Sequence, residues 1–126
     1  NHLGYMWADR GIRLTEALPA VQKALEFEPE NPAYLDSLAW VYYRMGDSAQ
    51  AWTVMQDVLR RDLLDPVVFD HAGDICMALG KTDAAIAFWQ KALDVAGRML
   101  QPPPEFRPEA VRQKLRRACP TCERRK

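Results

Sequence analysis

The stretch NPAYLDSLAWVYYRMGDSAQA, residues 31–51, decides the fold. Asn31 offers a side-chain oxygen to the first free amides of a helix, and Pro32 suits the first helical position, where an N–H would go unused. Leu35, Leu38, Ala39, Tyr42 and Met45 follow at three- and four-residue spacing, the pattern of one buried helical face. Gly46 is the residue type that adopts left-handed backbone and ends a helix. Asp47 with Gln50 three positions on is a capping pair for the next helix. The stretch therefore predicts helix, tight turn, helix.

Working outward, the pattern recurs at an interval of 34 residues. Ala17, Ala51 and Ala85 coincide, as do Val21, Met55 and Trp89, then Ala24, Val58 and Ala92, then Leu25, Leu59 and Leu93. Gly46 pairs with Gly80, Leu38 with Ala72, and Tyr42 with Cys76. Leu3-Gly4 matches Leu38-Ala39 only at an interval of 35, which places one extra residue around Gly11-Ile12-Arg13. The second helices carry apolar faces at Leu14, Ala17, Leu18, Val21, Ala24 and Leu25, at Ala51, Val54, Met55, Val58 and Leu59, and at Ala85, Phe88, Trp89, Ala92 and Leu93. Phe69, Ala72, Gly73, Cys76 and Leu79 mark another first helix, opened by Asp65-Pro66. No segment alternates as a half-buried strand does. The expected fold class is all-α.

The family follows from those residues. A helix-turn-helix period of 34, with small residues at Gly4, Ala39 and Gly73 and again at Ala17, Ala51 and Ala85, resembles the tetratricopeptide repeat. The junction Ala24-Leu-Glu-Phe-Glu-Pro-Glu-Asn-Pro32 resembles that family's repeat boundary. Leu63-Leu64-Asp65 departs from it, because the family places a proline earlier there. The resemblance implies a right-handed superhelical solenoid with a C-terminal capping helix. The expected organisation is three units over 1–97 (1–31, truncated at its start, then 32–65 and 66–97), a Pro-rich linker 98–107, a capping helix 108–118 and a basic tail 119–126. Because a repeat cannot bury its apolar face alone, further repeats are expected upstream. Longer phrases resemble the C-terminal repeats of long bacterial tetratricopeptide proteins. That likeness suggests the periplasm or envelope, with the cytoplasm as the alternative.

Composition narrows the function classes. A chain of 126 residues, 48% hydrophobic and 27% charged, is ordinary globular material, and length argues for one domain. Seventeen basic and seventeen acidic residues leave no net charge, which argues against a globally basic nucleic-acid binder. The balance hides an asymmetry: residues 1–97 carry 8 basic and 14 acidic side chains, residues 98–126 carry 9 and 3. An acidic body with a basic tail makes homotypic assembly, through the tail and the solenoid ends, the alternative to partner binding.

No catalytic constellation is present: no Gly-rich phosphate loop, no His-Glu-x-x-His and no nucleophile elbow. The expectation is a protein that is not an enzyme and needs no cofactor and no metal. Cys119-Pro-Thr-Cys122 has the spacing of a redox pair or half a zinc site, but follows a helix in an all-α chain and lacks further ligands nearby. Tail cysteines without a role, or a local disulfide in an oxidising compartment, are the readings left. Cys76 falls at a core position.

The resemblance also implies a binding face. In the tetratricopeptide family the first helices line a concave groove that takes a peptide or helix of a partner protein. The matching positions are Asn1, Tyr5 and Asp9, then Asp36, Trp40, Tyr43 and Arg44, then Asp70, Asp74 and Met77. Asp36, Trp40, Tyr43 and Arg44 fall on one helical stripe, expected to lie off the buried face, with packing of Trp40 against the neighbouring repeat as the alternative. Chaperone-binding members hold a C-terminal carboxylate with basic groove residues, whereas here Asp36, Asp70 and Asp74 occupy those places. The expected partner is accordingly a protein or peptide that is not an acidic C-terminal tail, and nucleic acid is not expected.

Overall fold

A computed structural model describes residues 14–121. They form α1 (Leu14–Phe27), α2 (Pro32–Arg44), α3 (Ser48–Leu59), α4 (Pro66–Ala78), α5 (Thr82–Gly97) and α6 (Pro108–Ala118). Asn1, Tyr5, Asp9, the extra residue near Gly11 and Cys122 lie outside the described residues. The chain divides into two compact units, Asn1–Leu63 and Leu64–Lys126. In the first, α2 packs against both α1 and α3; in the second, α5 packs against both α4 and α6. The architecture is all-α: helix-turn-helix packing followed by a trailing helix.

The helix ends form for local reasons. The Asn31 carboxamide accepts from the amides of Ala33 (2.9 Å) and Tyr34 (3.2 Å), and Asp65 accepts from Val67 (2.9 Å). Pro32 and Pro66 then occupy the first turns of α2 and α4. Asp47 accepts from the Gln50 amide at 3.1 Å, and the Gln50 side chain bonds the Asp47 carboxylate rather than reaching back to the backbone. Gly46 at φ +88° and Gly80 at φ +77° turn the chain between paired helices, a conformation that costs other residues a steric penalty.

Small residues set the helix spacing. Ala17 and Ala39 in the first unit, and Ala51 in α3, have no exposed surface. In the second unit Gly73 lies directly beneath the Trp89 indole, in the space a Cβ would occupy. Around these contacts Val21, Val41, Met55 and Val58 fill one core, and Ile75, Cys76, Ala92 and Val111 fill the other. Met45, expected on the buried face of α2, is exposed, because it caps the helix beyond its last packed turn. Past α5 the chain buries Phe106, which the spacing of apolar residues did not single out, together with Val111 and Leu115 of α6.

Candidate functional site

In the first unit the stripe on α2 is only partly open. Trp40 is 6% exposed and joins Ala17, Val21 and Val41 in a core cluster, and Asp36 is also buried. Asp36 is therefore not off the core as expected, and Trp40 takes the alternative of packing against the neighbouring repeat, where α1 meets it. Tyr43 is half-buried and stacks on Trp40 with ring centroids 4.8 Å apart. Arg44 is exposed in the last turn. On α2, Tyr43 is thus backed by Trp40, with the exposed Arg44 next to it in sequence.

The second unit treats its acidic pair differently. Asp70 and Asp74 lie one turn apart on α4, and both reach Lys114 of α6, whose Nζ donates to Asp70 Oδ1 at 2.6 Å and to Asp74 Oδ1 at 2.8 Å. Asp74 Oδ1 also accepts from Trp89 Nε1 at 3.2 Å, and the Lys114 ammonium sits 5.5 Å from the centroid of the Trp89 ring. The fixed indole and two carboxylates form a three-sided cage around one ammonium. Met77 is half-buried further along α4. α6 supplies the cation between the two carboxylates.

Burial pushes the Asp74 carboxyl above its ordinary value, with the Lys114 charge pulling against that rise and the Asp70 charge adding to it. Burial also pulls on Lys114, downward, but the two carboxylates outweigh it and hold the ammonium above the usual lysine value. Lys114 is charged at neutral pH, and α6 is tied to α4 through it. The apolar repeat pattern could not reveal this contact, since the partners are 40 and 44 residues apart in sequence. Only the placement of Lys114 one residue before Leu115, on the same face as Val111, hinted at it.

Elsewhere on α6 the basic residues face outward, and Arg112 and Arg116 both pair with Glu109. Among the described residues, no three His, Cys, Asp or Glu gather in a way that could hold a metal ion. No helix among them is long and apolar enough to cross a membrane. Cys76 is a free, buried thiol whose pKa is raised by desolvation, and Cys119 is disulfide-bonded.

Known proteins carry the same features. The tetratricopeptide repeat family's profile matches residues 68–98. The TPR repeat-containing protein PA4667 of Pseudomonas aeruginosa is 40% identical over 74 residues, which is 59% of this chain and 12% of that protein. The chain thus spans about an eighth of the length of that relative. The first TPR of Spaghetti (RPAP3) bound to the HSP90 peptide SRMEEVD superposes with a TM-score of 0.74 at 17% identity, covering 97% of this chain and 89% of that one. PcrH in complex with the chaperone binding region of PopD gives 0.68 at 20% identity, covering 98% and 85%.

The Spaghetti complex corrects the expected partner chemistry. A domain of this fold holds an acidic peptide, so the exclusion of an acidic tail does not stand. The charge argument counted three bare carboxylates, but Asp36 is buried and the Lys114 ammonium sits between the other two and offsets half of their charge. In its paired helices, its glycine-ended turns and the match over residues 68–98, the chain is similar to the tetratricopeptide repeat family.

Proposed function

We propose that this domain is a scaffold without chemistry of its own, which captures a peptide or helix of a partner protein on the face presented by the first helix of each pair. The observation that carries the reading is the Tyr43 ring stacked on a buried Trp40 beside an exposed Arg44. Trp, Tyr and Arg are the side chains that most often anchor interfaces, and a ring already immobilised by stacking loses little freedom on binding. The peptide-bound Spaghetti and PcrH structures support the same use of the fold in those proteins. Asp70, Asp74 and Met77 belong to the corresponding face of α4; Tyr5 and Asp9 lie outside the described residues.

Trp40→Ala would confound a test by opening the core. The informative variant is Tyr43→Ala with Arg44→Ala, compared with wild type in affinity, beside two otherwise wild-type chains that carry a photo-crosslinker in place of Arg44 or of Gln56. Crosslinks at 44 and not at 56 are expected, with an affinity loss of at least about tenfold in the double variant and unchanged helicity. Equal capture by both chains would remove the assignment. Homotypic assembly is weakened as an alternative, because Lys114, Arg112 and Arg116 already meet acidic partners within the chain.

The bacterial periplasm or envelope is the compartment this reading favours over the cytoplasm. Disulfides persist in oxidising compartments, and Cys119 is disulfide-bonded. Alkylation of the unreduced protein in denaturant should label Cys76 alone; labelling of all three cysteines would withdraw the assignment.

A further inference from the structure

We propose that Asp70, Asp74 and Trp89 form a receptor for the lysine of an amphipathic helix, that α6 is its resident occupant, and that a partner helix bearing the same pattern docks there by displacing α6. The inference rests on the preceding reading in taking the α4 face as a binding face, and adds what binds it and what guards it.

The cage is built for an ammonium. Two carboxylate oxygens lie at 2.6 and 2.8 Å from Lys114 Nζ, and the Trp89 face closes a third side at 5.5 Å. Trp89 is held in place by its own hydrogen bond to Asp74 and by the glycine beneath it. An ammonium attracted by two anions and an aromatic face is the fit expected of lysine. When it leaves, two partly buried carboxylates one turn apart on α4 face each other with no cation, so the site demands a replacement.

The occupant defines the ligand. Val111, Lys114 and Leu115 stand at i, i+3 and i+4, which places the ammonium between two apolar side chains on one face. Both apolar residues are buried, while Arg112 and Arg116 turn outward to Glu109 and are not needed for the fit. A helix reading apolar-x-x-Lys-apolar therefore satisfies the same face. The resident helix is attached through residues 98–107, in which Phe106 is buried as an anchor while Leu100 and the prolines at 102 and 104 stay exposed. It competes as a tethered ligand, and its advantage is effective concentration.

The probe is a synthetic peptide of residues 105–118 of this chain, added to the whole protein. The receptor is opened by V111S/K114A/L115S, which empties the face without touching α4 or α5. Expected is binding of the peptide to this variant, at least about tenfold weaker for a peptide carrying K114M. Binding to the wild-type chain is also expected to be at least about tenfold weaker, because α6 already fills the site. Equal binding of the lysine and methionine peptides would overturn the proposal. So would absence of binding to a variant whose α4 and α5 amides stay protected from hydrogen exchange.

If the triple variant does not fold, K114M alone in the whole chain takes its place. Its α6 amides should exchange about tenfold faster while those of α4 and α5 keep their protection. Unchanged α6 exchange would overturn the proposal. The Tyr43/Arg44 double variant separates the two readings. Added to the open receptor it should bind the peptide unchanged, whereas failure of the groove reading shows only in partner capture.

Discussion

Replacing Gly73 by alanine is expected to destabilise the second unit by about 1–3 kcal/mol, read as a lower urea midpoint with an unchanged slope. The added methyl would fall inside the Trp89 indole. That ring cannot swing aside freely, because it is 3% exposed and its Nε1 donates to Asp74. Trp89→Ala alone is expected to cost about 3–5 kcal/mol, the range for deleting a buried aromatic. It also removes one wall from the Lys114 cage. In the double variant the alanine methyl enters space the indole has vacated, so the two losses should sum to clearly more than the loss observed together. Strict additivity would show that Gly73 does not owe its place to Trp89.

In the first unit, Met55→Ala should cost about 2–5 kcal/mol, the range for deleting a fully buried unbranched side chain. Met55 has no exposed surface and lies on the inner face of α3 with Ala51 and Val58. Met45→Ala provides the contrast. That side chain is exposed at the end of α2, and its truncation should stay within about 0.5 kcal/mol. Measuring both in the same urea series compares one residue type at two burials. Equal effects would mean that the α3 face is not the core of its unit.

These residues also show how much was legible beforehand. Met55 and Trp89 fall at one repeat position, 34 apart, and both are buried, because that position faces the paired helix in each unit. Gly46 and Gly80 were identifiable as turn glycines because a helix that must end and reverse needs left-handed backbone there. Met45 was misplaced because helical periodicity carries no information about where the last packed turn stops. Asp36 was misplaced, and periodicity left the burial of Trp40 open, for a related reason. A helix packed against neighbours on two sides buries more than one stripe, and both α1 and α3 pack on α2.

By itself, the sequence determined that the chain is all-helical, where its helices begin and turn, and which small residues let paired helices approach. Each of those features depends on spacing within a few residues or on the backbone demands of one residue type. Only the tertiary structure decided that the α2 stripe is half core, that Phe106 is buried, and that Lys114 returns to Asp70 and Asp74. Those outcomes join side chains from helices distant in sequence. Their partners are selected by how helices pack and by the cost of leaving a partly buried charge without a counter-charge, neither of which local spacing encodes.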